Sequence, residues 1–263
     1  AQLHESIIRY PHPMSANRFF VPPSQFEGNG VRLSAEQTHQ VCHVLRLRAG
    51  DAIVVLDGAG HEYDVKLTTA GKREAVGEIV ARREATGEPT VEITLFQSLL
   101  AREKFEWVLQ KGTEVGVSRF VPIQTERTLL RARQVDPKKI VRWQRIVTEA
   151  AEQSHRGRIP EIEPAIALSE ALSRLSEFDR SLVAATSSPA RTLTEALAEG
   201  VRPPTSVAVL IGPEGGFSDD ETAQARAAGA IPIHLGPRVL RTETAAIVVP
   251  ALVLNELGQM QQT

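Results

Sequence analysis

Five apolar residues in a row, Val207-Ala208-Val209-Leu210-Ile211, run without a polar break into Gly212-Pro213-Glu214-Gly215-Gly216. A run of that length, bounded by glycine, predicts a parallel strand buried on both faces. Ser218-Asp219-Asp220-Glu221 has the form of a capping box, so a helix is predicted from about Asp219 to Ala228, ended by Gly229. Ile231 to Leu235 predicts a second short strand. It breaks into Gly236-Pro237-Arg238-Val239-Leu240-Arg241, and Thr242 is expected to cap a long apolar helix towards Gly258. Two strands are thus expected to end side by side in glycine-containing loops, each feeding a helix. Ile247, Val248, Val249, Leu252, Val253, Leu254 and Leu257 crowd more than one face of the last helix, which predicts burial on several sides. Pro250 inside it predicts a kink.

The chain before this stretch divides in two. From Arg18 to about Ala85 the pattern is β-rich. Ser34-Ala35-Glu36-Gln37 predicts a capped helix to about Leu47. Strands are predicted over 51–56, 61–68 and 74–81, separated by Asp57-Gly58-Ala59-Gly60 and Ala70-Gly71-Lys72. A small barrel is the economical arrangement. Ala85 to Pro89 reads as a linker. Beyond it the periods alternate: strand from Val91 to Leu99, helix from Glu103 to Val115, strand from Arg119 to Gln124, and a helix opened by Asp136-Pro137 and reaching about Gln153. A helix over 168–175, a strand over 179–185 and a helix over 189–198 follow. Strand-helix alternation argues for a parallel sheet in an α/β domain.

Composition narrows the class. The chain has 263 residues, 42% of them hydrophobic, and a net charge of -2. A near-neutral molecule has no global polyanion-binding field, so any phosphate-binding surface is local. The one-sided stretch is Arg127, Arg131, Arg133, Lys138, Lys139, Arg142 and Arg145 against Asp136 alone. Arg46, Arg48, Lys66, Lys72, Arg73, Arg82 and Arg83 form a second basic group, read either as phosphate contacts or as a solvated surface. The single cysteine, Cys42, excludes an internal disulfide framework and fits a reducing compartment. No apolar run is long enough to span a membrane, and the opening residues lack a secretory pattern.

Several chemistries fail on spacing. His39 and His43 have the two-histidine spacing of a zinc metalloprotease helix, but Gln40 stands where the general base belongs. There is no triphosphate-binding P-loop, no G-x-G-x-x-G and no nucleophile elbow. No metal site is expected. The two glycine loops, with Glu214, Arg238, Arg241 and Glu243 in them, remain the candidate site, because ligands bind at the carboxyl ends of parallel strands.

The wording of those loops carries a resemblance. Leu210-Ile211-Gly212-Pro213-Glu214-Gly215-Gly216-Phe217-Ser218 and Leu235-Gly236-Pro237-Arg238-Val239-Leu240-Arg241-Thr242-Glu243-Thr244-Ala245 resemble the bacterial RsmE family of SPOUT methyltransferases. Val44 to Asp51, Arg102 to Trp107, Gln110 to Val117, Glu149 to Arg156 and Ile159 to Ile162 resemble further segments of the same family. The resemblance implies an α/β fold: a PUA-like RNA-binding β domain over 15–85 and a SPOUT α/β-knot, threaded as a trefoil, over 90–263. Residues 1–14 read as an extension. It implies S-adenosylmethionine as cofactor and 16S ribosomal RNA, within the assembled small subunit, as substrate. N3 of a uridine is the implied methyl acceptor. A homodimer in the cytoplasm is implied as well. The residues carried over as cofactor-binding are Leu210, Ile211, Gly212, Pro213, Glu214, Gly215, Leu235, Gly236, Val239, Leu240 and Thr242. Arg241 and Glu243 are the catalytic candidates, with Glu214 as an alternative base. Arg18, Arg46, Arg48, Arg127, Arg131, Arg133, Lys138 and Arg156 are the RNA-binding candidates. A SPOUT enzyme for another RNA position, such as a transfer-RNA ribose, and a non-catalytic ribosome-assembly factor are the competing readings.

Overall fold

The computed structural model describes residues 17–128, 135–185 and 189–261. The chain divides into two compact units, one reaching to Ala85 and one starting at Thr86. The first unit holds β1 (Arg18–Phe20), β2 (Phe26–Glu27), β3 (Gly30–Arg32), α1 (Ala35–His39), β4 (Ala52–Leu56), β5 (His61–Ala70) and β6 (Ala75–Glu84). Its strands form one mixed sheet in the order β1-β4-β5-β6-β3-β2. β1 runs parallel to β4, and the other pairs are antiparallel. The β5–β6 ladder shifts register twice, and such irregularities bend and twist a sheet. Alternating residues Ile53, Val55, Val65 and Leu67 then meet Phe19, Val31 and Val41 in one core.

The predicted helix to Leu47 stops short. Ser34 makes both arms of its capping box with Gln37, but after His39 the chain continues as a π-helical turn, Gln40–Val44. Arg46 then takes a positive φ of 57°. Leu45 and Leu47 both pack against the core. Two residues that far apart on an α-helix point about 200° away from each other. The left-handed turn at Arg46 resolves that conflict.

The second unit is a three-layer α/β structure. It contains β7 (Glu92–Ser98), α2 (Arg102–Val115), β8 (Arg119–Gln124), α3 (Pro137–Gln153), β9 (Glu161–Ile162), β10 (Ile166–Ala167), α4 (Leu168–Ser173) and β11 (Arg180–Ala184). It continues with β12 (Arg191–Thr192), α5 (Leu193–Leu197), β13 (Ser206–Ile211), α6 (Asp219–Ala227), β14 (Ile231–His234) and α7 (Thr242–Glu256). The sheet runs β10-β8-β7-β13-β11-β14-β12, with β9 also on β8, and every pairing is parallel. β13 shows why its sequence is apolar throughout. Val207, Val209 and Ile211 face the layer of α2, α3, α5 and α7, whereas Ala208 and Leu210 face the layer of α4 and α6.

Three expectations change. The helix predicted over 189–198 begins only at Leu193, because Thr192 and Glu195 form a capping box and Arg191 and Thr192 pair with β14. β13 and β14 are not neighbours: β11 lies between them and pairs with both. Thr242 is the first helical residue of α7 rather than its cap, a place taken by Arg241. No helix among the described residues is long and apolar enough to cross a membrane.

Candidate functional site

Three parallel strands deliver their carboxyl ends to one hollow of about 590 Å³. Ala184 and Ala185 come from the end of β11, Ile211 to Glu214 and Gly216 from β13, and Ile233 to Arg241 from β14. Thr242, Glu243 and Ala245 of α7 and Lys104 of α2 complete the wall. The volume is that of an ordinary small-ligand site. Glycine-containing loops form two of its sides for a local reason. Gly236 has a φ of 89°, which favours glycine, and a Cβ on Gly212 would sit 3.0 Å from the Phe217 amide nitrogen.

Hydrogen bonds hold the two loops in place. Thr242 Oγ1 donates to the Gly212 carbonyl at 2.5 Å and accepts from Gln97 Nε2 at 3.3 Å. The start of α7 is thereby tied to the first loop and, through buried Gln97, to the end of β7. In the second loop the Gly236 amide donates to His234 Nδ1 at 3.2 Å. Glu221, buried in the first turn of α6, accepts from Ser218 N at 2.9 Å and from Glu126 N at 2.7 Å. Arg127 Nη1 donates to the Gly215 carbonyl at 2.7 Å. The segment after β8 is thus fastened both to the first glycine loop and to the helix that follows it.

The charged groups of the hollow centre on Lys104. Its Nζ donates to Glu214 Oε1 at 3.1 Å and lies 3.9 Å from Glu243 Oε2. That Glu243 oxygen is buried and accepts no hydrogen bond among the described residues. Two carboxylates therefore share one ammonium, and only Glu214 is hydrogen-bonded to it.

Every cofactor-binding candidate lines the hollow except Leu210 and Gly215, and both catalytic candidates, Arg241 and Glu243, line it. Leu210 points into the α4–α6 core, the face opposite Ile211, as strand alternation requires. Gly215 turns its carbonyl to Arg127 instead. Among the RNA-binding candidates, Arg46, Arg48, Arg127 and Lys138 are exposed, although Arg127 also donates to the Gly215 carbonyl. Arg18 is not: its guanidinium is buried and donates to Glu62 Oε2 at 2.5 Å. Arg156, 3% exposed, holds Glu88 with two nitrogens and donates to the Thr113 and Val117 carbonyls. Both are internal ties, because a buried cation takes whatever acceptors surround it. Arg131 and Arg133 lie outside the described residues, as does the extension over 1–14.

The residues missed from sequence are Lys104, Ala184, Ala185 and His234. Lys104 lay in a segment with a family resemblance, but nothing local shows that the start of α2 comes down beside Glu214. The alanines carry no chemical signal; only the insertion of β11 between β13 and β14 puts them there.

Comparison with known proteins agrees with this architecture. A model of an RNA methyltransferase domain matches residues 87–254, and a model of an RNA methyltransferase PUA domain matches residues 33–80. A ribosomal RNA small subunit methyltransferase E of Synechocystis is 33% identical over 238 residues, 90% of this chain and 77% of the relative. The enzyme of that name from Neisseria gonorrhoeae, solved with S-adenosyl methionine bound, is 32% identical with a TM-score of 0.81, covering 92% of this chain and 98% of its own. A Legionella pneumophila methyltransferase, also solved with its bound cofactor, gives 32% and 0.82 over the same shares. With these matches spanning both units, the chain belongs to the ribosomal RNA small subunit methyltransferase E family.

Proposed function

We propose that this chain methylates N3 of a uridine in 16S ribosomal RNA, with S-adenosylmethionine as methyl donor. Methylation of ribosomal RNA from that donor is the activity of the family; the uridine and its N3 are our assignment. The observation that carries the reading is the single hollow shared by the two glycine loops, in a chain whose relatives were solved with the donor bound.

The residues present fit that donor. Ile211, Leu235, Val239 and Leu240 offer apolar walls, and Gly212 and Gly236 let the backbone of both loops come close to a ligand. When bound, S-adenosylmethionine supplies a methyl group already activated by its positive sulfur. The protein's part is then positioning and proton transfer. Uracil N3 carries a proton that must leave as the nitrogen lone pair attacks. Glu243 is the base we assign, because Glu214 is occupied by Lys104 while Glu243 Oε2 accepts no hydrogen bond among the described residues. Arg241 faces the negative charge that develops on the uracil oxygens. Uracil N3 is engaged in paired RNA, so the target base is unpaired or flipped out when it reaches the hollow.

Residues 15–85 act in this reading as the PUA-like RNA grip and residues 90–263 as the SPOUT catalytic domain. The Thr242 tie places the start of α7 against the Gly212 loop, a closeness that the implied knot requires. We also propose a cytoplasmic homodimer acting on the assembled small subunit. Ile247, Val248, Ala251 and Leu252 share one incompletely covered face of α7, with Leu252 38% exposed, and a second copy of that face is its natural cover. Mass mapping of 16S ribosomal RNA from a strain lacking the gene tests the reading. One uridine should lose a methyl group; an unchanged methylation map would refute it.

A further inference from the structure

We propose that the paired imidazoles of His39 and His43, flanked by Arg46 and Arg48, form a stacking platform for one unpaired RNA base. The proposal rests on the reading of the first unit as an RNA grip and adds the residues and the kind of nucleotide it takes.

Five features meet in this short stretch. The two rings stand 5.0 Å apart between centroids with their planes 34° from parallel. Both residues are exposed, so the pair is not a piece of core packing. His39 ends α1, and the turn that follows and carries His43 is π-helical, a conformation that is rare and frequent at functional sites. The next turn holds Arg46 at a φ of 57°, in a region non-glycine residues seldom adopt. Val44, between the rings and that arginine, leaves 64% of its surface open.

The charge of the patch selects its occupant. Arg46 and Arg48 are exposed and make no ion pair with any described residue. Two carboxylates lie close in the chain: Glu36, exposed one turn before His39 on α1, and Asp51, which accepts from the backbone amide of Arg48 at 2.7 Å. Exposed flat rings beside two unpaired guanidinium groups match a nucleotide: a base on the imidazoles, phosphates on the arginines. A protein partner would find little apolar surface here beyond Val44.

Binding of a labelled single-stranded RNA of mixed sequence to the full chain, at several salt concentrations, tests this. The His39→Ala/His43→Ala variant should raise Kd about tenfold with the salt slope unchanged. The His39→Phe/His43→Phe variant should return Kd to within about threefold of wild type, since phenylalanine stacks but carries no charge or metal-binding nitrogen. Arg46→Ala should lower the salt slope by about one. Each single alanine variant is measured alongside, so a folding failure in the double variant still leaves the test decided. An unchanged Kd in the alanine variants overturns the platform. So does loss that phenylalanine fails to restore and that flattens the salt slope, which would make the histidines cationic phosphate contacts. Methyl transfer to 16S ribosomal RNA by the wild type, measured in parallel, separates the two readings: if transfer proceeds and the variants bind normally, only the platform fails.

Discussion

Glu214 and Glu243 compete for one lysine, and in the proposed mechanism that competition separates their roles. Lys104 lies 3.1 Å from the first and 3.9 Å from the second. Replacing Glu243 by glutamine should lower kcat by about 100-fold, a usual contribution of a general base, with donor affinity within about threefold. Glu214→Gln should cost kcat less than about tenfold. Single-turnover methylation of small subunits, with calorimetry of the donor, separates the two. Arg156 lies at the other extreme of burial. It neutralises Glu88 inside the second unit, so Arg156→Ala strands a carboxylate and should cost about 3 kcal/mol, seen as a fall in the denaturant midpoint. Had it been a phosphate contact, its loss would have left stability alone and reduced the salt slope of RNA binding.

At the scale of elements, α7 performs two tasks with different residues. Its first residue, Thr242, reaches the Gly212 carbonyl and so sets the spacing between the first loop and the helix that carries Glu243. Thr242→Val keeps the shape and removes the bond. Donor affinity should fall about fivefold, corresponding to about 1 kcal/mol for one hydrogen bond. Calorimetry reads it directly, and an unchanged Kd would show the tie to be dispensable. Further along, Ala246, Val249, Val253 and Leu254 face the core while Ile247, Val248, Ala251 and Leu252 face outward. A helix apolar all round is ordinarily buried all round. On the proposed dimer, the wild type should sediment as two chains and Leu252→Glu as one, with the fold of each chain retained; a wild type that sediments as a single chain would remove that proposal.

For the whole molecule, acid is the informative perturbation. Hydrogen bonds from Arg142 and Arg174 hold Glu106 and Glu163 below the usual glutamate range, and amide and hydroxyl donors of Thr205 and Ser206 do the same for Asp179. Lowered folded-state values mean that the unfolded chain binds protons first as pH falls. The stabilisation is thus fully present above the ordinary carboxylate range, about 4 to 4.5, and is lost as pH drops through the lowered values. All three groups belong to the second unit. The urea midpoint of that unit should decline from pH 5 to pH 3, and Glu163→Gln should make the decline shallower. A midpoint independent of pH across that window would contradict the ion-pair geometry.

What was legible in the sequence was what neighbours along the chain decide. The β13 run, the capping box at Ser218 and the Pro137 helix start all appear where local pattern puts them, because burial on both faces and end-capping act over a few residues. The two glycine loops were legible as the turns that follow β13 and β14 for the same reason. The insertion of β11 between their strands was not, since strand order depends on which apolar faces meet across the folded chain. Charge was the least legible property. Arg18, Arg127 and Arg156 are as basic in the sequence as Arg46 and Arg48, yet the fold turns the first three onto Glu62, the Gly215 carbonyl and Glu88. Arg46 and Arg48 it leaves facing water. Residue type fixed the charge each side chain brings; only the tertiary structure decided whether a partner within the protein was already there to take it.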